Sequence, residues 1–246
     1  MKKTGIFKNL LYTFSAAVIM ASCTQNEEVP NTQESEVTLT ATVSSSTEPG
    51  ARTASLVYNN LTITDLRLSL DDVKLNLRAT SNDSNKPTIV HIRSGAPQVI
   101  TLVKDGQIHD VLIGSAMAFN GVYGKLNFDL VKAVDVDEDD EMLGKSVIVK
   151  ALWFDVPAVM YLDIEENVEV KFNQGIEVAG AQDFLLTLYM DKLLEGVDPS
   201  LVSDGNGDGL IEVGPNDEDG NGEAYAAILA NIESALVMQN GKFKDK

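Results

Sequence analysis

The sequence predicts a mainly-β fold, an antiparallel β-sandwich followed by a C-terminal helix. Three observations predict it. Apolar residues recur at every second position in short stretches. Turn signals rich in Gly, Asn and Asp separate these stretches. Near the end, the apolar spacing changes from period two to the spacing of one helix face.

The elements follow in order. Val37, Leu39, Ala41 and Val43 alternate with Thr38, Thr40, Thr42 and Ser44, a strand with one buried face. Ser44 to Arg52 is a loop holding Pro49-Gly50. Leu61, Ile63, Leu66, Leu68 and Leu70 resume the pattern, and Val73, Leu75 and Leu77 continue it after Asp71-Asp72. That acidic pair predicts a tight turn between two strands. Ser81 to Lys86 is a polar loop closed by Pro87. Thr88 to Arg93 and Gln98 to Val103 are strands around Gly95-Ala96-Pro97, and Lys104-Asp105-Gly106 is a turn.

Val111 to Gly124 is apolar and glycine-containing and fits no single period, with a turn expected at Asn120-Gly121. Leu126 to Leu130, Val147 to Trp153, Met160 to Ile164 and Val168 to Phe172 alternate again. Phe184 to Met190 is a mostly apolar run, which fits a buried strand. This strand density fits an Ig-like or transthyretin-like sandwich, a single domain over residues 36–246. The helix is expected over 223–239. Tyr225, Ile228, Leu229, Ile232, Ala235 and Leu236 share one face, Asn221 caps the start, Glu223 sits in the first turn and Gly241 follows the end.

Between sheet and helix lies the stretch with the most chemistry, residues 204–223. Oxygen-bearing side chains alternate with glycines, as a hard cation such as calcium requires. Asp204, Asn206 and Asp208 stand at positions 1, 3 and 5 of an EF-hand loop, Gly209 at position 6, and Leu210 offers its carbonyl at position 7. Position 12 is Pro215, so the pattern departs there. Glu212, or the second group Asp217, Asp219 and Asn221, must then supply the missing oxygens. The expectation is a structural Ca2+ site with a modified second half; the alternative is a metal-free acidic turn.

Other candidates read as structure. Asp135 to Glu141 repeats the acidic spacing but has Asp140 where the glycine belongs, which predicts a solvated hairpin loop. His91 and His109 have no partner at metal-ligand spacing. Trp153 shares the parity of Val147 and Val149, which places it in the core. The glycines at 205, 207 and 209 do not match a phosphate loop, and neither G-x-S-x-G nor H-E-x-x-H occurs. An acid-rich chain offers many carboxylate pairs for glycoside hydrolysis, and spacing singles out none.

The N-terminus carries an export signal. Lys2, Lys3 and Lys8 precede a short apolar run, Leu10 to Met20, too short to span a membrane. Met20-Ala21-Ser22-Cys23 follows, small residues before the only cysteine of the chain. This predicts a lipoprotein signal peptide over 1–22, lipidation at Cys23, and a flexible tether over 23–35. One cysteine excludes an internal disulfide. Glu27 and Glu28 close behind it resemble the surface-export signal of Bacteroidota lipoproteins. The expected place is the outer membrane, surface-exposed, with a periplasm-facing anchor as the alternative. A net charge of -18 over 246 residues argues against nucleic acid as a partner.

Ile63-Thr64-Asp65-Leu66-Arg67-Leu68, Gly144 to Lys150 and Asp204 to Asn221 followed by a helix resemble Bacteroidota lipoproteins with a domain of unknown function of the 4382 type. The resemblance covers about residues 36–239, with the acidic loop its most specific part, and it implies an all-β lipoprotein with a calcium-type loop and no known activity. Val37 to Ala41 followed by Ala51-Arg52-Thr53-Ala54 resembles the first strand of fimbrillin-type pilus subunits. That resemblance implies processing after Arg52 and strand exchange between subunits. The leading expectation is a non-catalytic, lipid-anchored binding or scaffold module with a protein or glycan partner; a pilus or adhesin subunit and a glycan-acting enzyme are the alternatives.

Overall fold

The computed structural model describes residues 33–46, 56–58, 60–77 and 89–240, the last two by backbone only. Cys23, Arg52, the leader and most of the tether lie outside them. The strands are β1 (Glu34–Ser44), β2 (Leu56–Tyr58), β3 (Leu61–Leu77), β4 (Ile89–Arg93), β5 (Gln98–Lys104), β6 (Gln107–Ile108) and β7 (Val111–Phe119). They continue with β8 (Gly121–Leu130), β9 (Val147–Trp153), β10 (Val156–Leu162), β11 (Glu166–Val178), β12 (Gln182–Tyr189), β13 (Ile211–Val213) and β14 (Leu236–Asn240). Two α-helices, α1 (Met190–Leu193) and α2 (Gly222–Ala235), and two 3-10 turns, Pro199–Leu201 and Glu218–Gly220, complete the described elements. The fold is mainly β, in two sheets that do not close into a barrel. Among the described residues no helix is long and apolar enough to cross a membrane.

The smaller sheet has the order β14-β12-β1-β7. The alternation in β1 does what its period dictates: Val37, Leu39, Ala41 and Val43 are at most 2% exposed. The strand begins at Glu34, inside the segment expected to be tether. β1 runs parallel to β12 and antiparallel to β7. β12 lies between β1 and β14, and every residue from Phe184 to Tyr189 is buried, hence its mostly apolar run, with Thr187 the buried polar exception.

The larger sheet is built on β3, with the order β11-β8-β3-β9-β10-β13 and with β2, β4 and β5 also paired to β3. The turn expected at Asp71-Asp72 does not form, and one strand runs through it. Asp72 adopts φ 46, its N–H is held by the Asp71 carboxylate at 2.7 Å, and the register with β8 shifts between Asp71 and Lys74. The acidic pair is a bulge, since pairing on both sides keeps the strand extended. Asn120 is likewise no hairpin turn: β7 belongs to the smaller sheet and β8 to the larger, so the chain changes sheets there. Its N–H donates to the Gln33 carbonyl at 2.8 Å, and its side chain accepts the Ser35 hydroxyl at 2.6 Å.

Two hairpins use paired left-handed residues, which match strand twist. Asp105-Gly106 joins β5 to β6 as expected, and Phe154-Asp155 joins β9 to β10 at φ 47 and 65. Residues of both sheets fill one apolar cluster, to which Trp153, 7% exposed, belongs. The helix expected over 223–239 ends at Ala235. Leu236 to Asn240 become β14 and pair with β12, where strand pairing with Leu236 and Met238 buried overrides the helical spacing.

Candidate metal centre

The short strand β13 divides the acidic stretch. It pairs parallel to β10, with Ala158 opposite Ile211, and buries Ile211 and Val213. The Asp204–Leu210 arm precedes it and the Gly214–Asn221 arm follows. Burial of the two apolar residues therefore fixes the roots of both arms.

The first arm folds around Asp204. One carboxylate oxygen accepts the N–H groups of Gly207 (2.6 Å) and Asp208 (3.2 Å), and the other accepts that of Gly209 (2.8 Å). Asn206 Oδ1 accepts the Asp208 N–H, and Asp208 Oδ1 accepts the Leu210 N–H. Local bonds of this kind are what short Asx side chains favour. They bring the side chains expected at positions 1, 3 and 5 into one turn.

Asp219 closes the second arm over the first. It sits at φ 55, donates neither group, and accepts the Asn206 N–H at 3.2 Å and the Glu212 N–H at 2.8 Å. Its carbonyl oxygen lies against Gly205, where a Cβ would overlap it, so the crossing requires glycine. Asp217 accepts the Gly222 N–H at 2.8 Å and satisfies the first turn of α2. Asn221 was expected to cap that helix, but its side chain does not. It is 2% exposed, accepts the Ser203 N–H and donates to the carbonyls of Ser203 and Glu212, stapling the base of the loop.

Two contributors carry no motif. Tyr161 on β10 donates its hydroxyl to Glu218, whose carboxylate also accepts the Asn216 N–H at 2.9 Å. The ring lies so close to Gly214 that a Cβ there would be 2.6 Å from Cζ. Outward parity of an aromatic on β10 was the available signal for Tyr161; Glu218 lies between two acids of the expected spacing, which drew attention away from it.

The electrostatics are one-sided. Residues 204–223 hold seven acidic side chains and no basic one. Among the described residues, no Lys or Arg forms an ion pair with any of them. Burial and then the charges of Asp219, Asp208 and Glu218 push the Glu212 carboxyl above its ordinary value. Burial also pushes Glu218 upward, but hydrogen bonds from Tyr161 and Asn216 outweigh it and hold it low. Burial and then Glu218 raise the Tyr161 hydroxyl.

The donor set is all oxygen, as a hard cation requires, and none of its carboxylates has an ion-pair partner among the described residues. Among the described residues, no three His, Cys, Asp or Glu side chains stand as a preformed cage, because the Asp carboxylates turn to backbone N–H groups. Each carboxylate oxygen that accepts one such bond keeps a second lone pair for a cation.

The second acidic stretch is solvated as expected, with Asp135, Asp137, Glu138, Asp139 and Glu141 exposed, but it is no hairpin, since β3 lies between β8 and β9. Ala133, Met142 and Ile148 form a small cluster with Val99, Val136, Val159 and Tyr161 that lays residues 131–146 on the larger sheet. Asp140 pairs with Arg67 at 2.8 Å and Glu141 binds Lys150 at 2.7 Å. His91 stands 3.4 Å from Asp72, and neither histidine joins a cluster of ligand side chains among the described residues. No family model, curated protein or solved structure matches the chain.

Proposed function

We propose that the protein is a non-catalytic, lipid-anchored module of the cell envelope, of the kind the lipoprotein resemblance implies. The reading takes its two sheets as an Ig-like or transthyretin-like sandwich, with residues 204–223 a structural calcium loop. Asp204, Asn206 and Asp208 are the first-arm ligands, the Leu210 carbonyl follows, and Glu212 and Asp219 stand in for the lost position 12. Asp217 and Asn221 support the loop by holding the helix start and the loop base. The membrane anchor is the lipid at Cys23, on the outer membrane. The observation that carries the calcium reading is the fold of the loop: Asp204, Asn206 and Asp208 share one turn, Asp219 closes over it, and no ion pair offsets their charge among the described residues. A divalent cation there replaces repulsion with ligation.

Extracellular sites of this class bind at about 10⁻⁴ to 10⁻³ M, so millimolar calcium adds about 1 kcal/mol of stability. Calorimetric titration of calcium into the protein, with melting curves in calcium and in chelator, tests this. Saturable heat and a raised melting point are expected. Neither heat nor shift leaves the loop a self-bonded turn.

A second reading, the pilus subunit, is favoured by the position of β1. It lies between β12 and β7 with its apolar face fully covered, and it ends ahead of Arg52. Cleavage after Arg52 would detach β1 and leave a groove between β12 and β7 for an equivalent strand. Mild trypsin digestion decides: this reading expects one early cut followed by oligomers, and an intact monomer ends it.

A further inference from the structure

We infer that the outer face of the larger sheet holds a binding cleft for the carboxylate end of an acidic sugar. The cleft has a volume of about 190 Å³ and is lined by Asp65, Arg67, Thr101, Lys104, Glu141, Ile148 and Lys150. Strand register makes it: Arg67 of β3 lies between Thr101 of β5 and Ile148 of β9, and Asp65 lies opposite Lys150. Three of the chain's 19 basic residues meet here, in a protein of net charge -18. Asp65 and Glu141 on the same lining offset two of these charges, which leaves one positive charge in excess.

The cleft already receives a carboxylate, supplied by its own chain. Glu141 reaches in from the 131–146 segment, with Lys150 Nζ at 2.7 Å and Arg67 Nη2 at 3.6 Å. Glu141 is half exposed, so it is a displaceable occupant. Arg67 is a prepared donor, because Asp140 holds Nη1 at 2.8 and 3.1 Å while the Met142 N–H fixes Asp140 at 2.7 Å. An anchored guanidinium is the group that recognises carboxylates best. Lys104 has no ion-pair partner among the described residues and stands ready for the same ligand.

The remaining groups select a sugar over an acidic peptide. Thr101 and Asp65 can bond hydroxyls, and Asp65 repels a second carboxylate of the kind an acidic peptide brings. The volume suits a single ring.

The test is titration of the whole chain with sodium glucuronate, glucose, acetate and polyglutamate at fixed ionic strength, followed by amide chemical shifts. Saturable shifts at Thr101, Lys104 and Lys150 are expected with glucuronate, stronger than with acetate or glucose. Lys104→Ala should weaken binding by about tenfold, the worth of one charge-assisted hydrogen bond. Glu141→Gln should tighten it severalfold by removing the internal competitor, a gain that a merely structural Glu141 would not give. Absence of saturable glucuronate shifts, or an affinity unchanged in Glu141→Gln, overturns the inference. Tighter binding of polyglutamate at the same residues also overturns it, in favour of an acidic protein partner.

Discussion

The two acidic stretches of this protein reach order by opposite means. Residues 204–223 turn their carboxylates to the backbone, with Asp204 and Asp219 accepting five N–H groups between them and no ion-pair partner among the described residues. Residues 135–141 instead pair with cations of the sheet below, Asp140 with Arg67 and Glu141 with Lys150. Glycine makes the difference. The first stretch alternates acids with glycines and can wrap its own carboxylates, while the second has acids at consecutive positions and must look outward. A run of charge therefore says little by itself; the residues between the charges decide what it does.

The largest effect should come from removing that freedom. Gly205→Ala drives a Cβ into the Asp219 carbonyl, which should cost about 3 kcal/mol in thermal unfolding and abolish calcium heats. An equal melting point would show that the two arms are not tied there. Asp219→Ala removes two carboxylate–amide bonds and should cost about 2 kcal/mol, with little dependence on salt. Asp140→Ala breaks a partly exposed ion pair and should cost about 1 kcal/mol, less in high salt. If salt affects both variants alike, the contrast between backbone and side-chain neutralisation fails.

Glu212→Gln should have the smallest effect and the opposite sign. The folded pKa of Glu212 is raised, so its ionisation opposes folding once the pH rises through the folded value. Glutamine should raise calcium-free stability by about 0.5 kcal/mol and at the same time weaken calcium binding. Asp140 titrates the other way. The Met142 N–H bond and Arg67 lower it, so its stabilisation is present above the unfolded carboxylate value and lost as the pH falls through the folded one. Melting curves of the two variants between neutral and acid pH should therefore diverge in opposite directions from the parent.

The strands are largely legible because each buries one face and shows it as a period of two; β1 and β5 are examples, and the mostly apolar run of β12 reads as a buried strand. What was missed depends on partners distant in the chain. Asp71-Asp72 has turn composition, yet neighbours on both sides hold β3 straight through it. Leu236 to Asn240 has helical spacing, yet the free edge of β12 claims it as a strand. Phe154-Asp155 makes a hairpin turn without the Asn or Gly that announces one. In the acidic loop, the turn around Asp204 could be read from spacing alone. The crossing of Asp219, the staple at Asn221 and the contact of Tyr161 with Glu218 could not, because each joins residues that only the closed loop brings together.

The composition of the smaller sheet has a consequence in time. Its four strands come from the start, middle and end of the described chain, and Val37 pairs with Gln182 across more than half the chain length. Such contacts make folding slow, since distant segments must meet before any pairing is rewarded. While the chain emerges from a ribosome or a translocation pore, β1 has no permanent neighbour on one side until β12 arrives, and β12 lacks one until β14 is out. The sheet can therefore be completed only once β14 has emerged, and its unpaired edges need shielding until then.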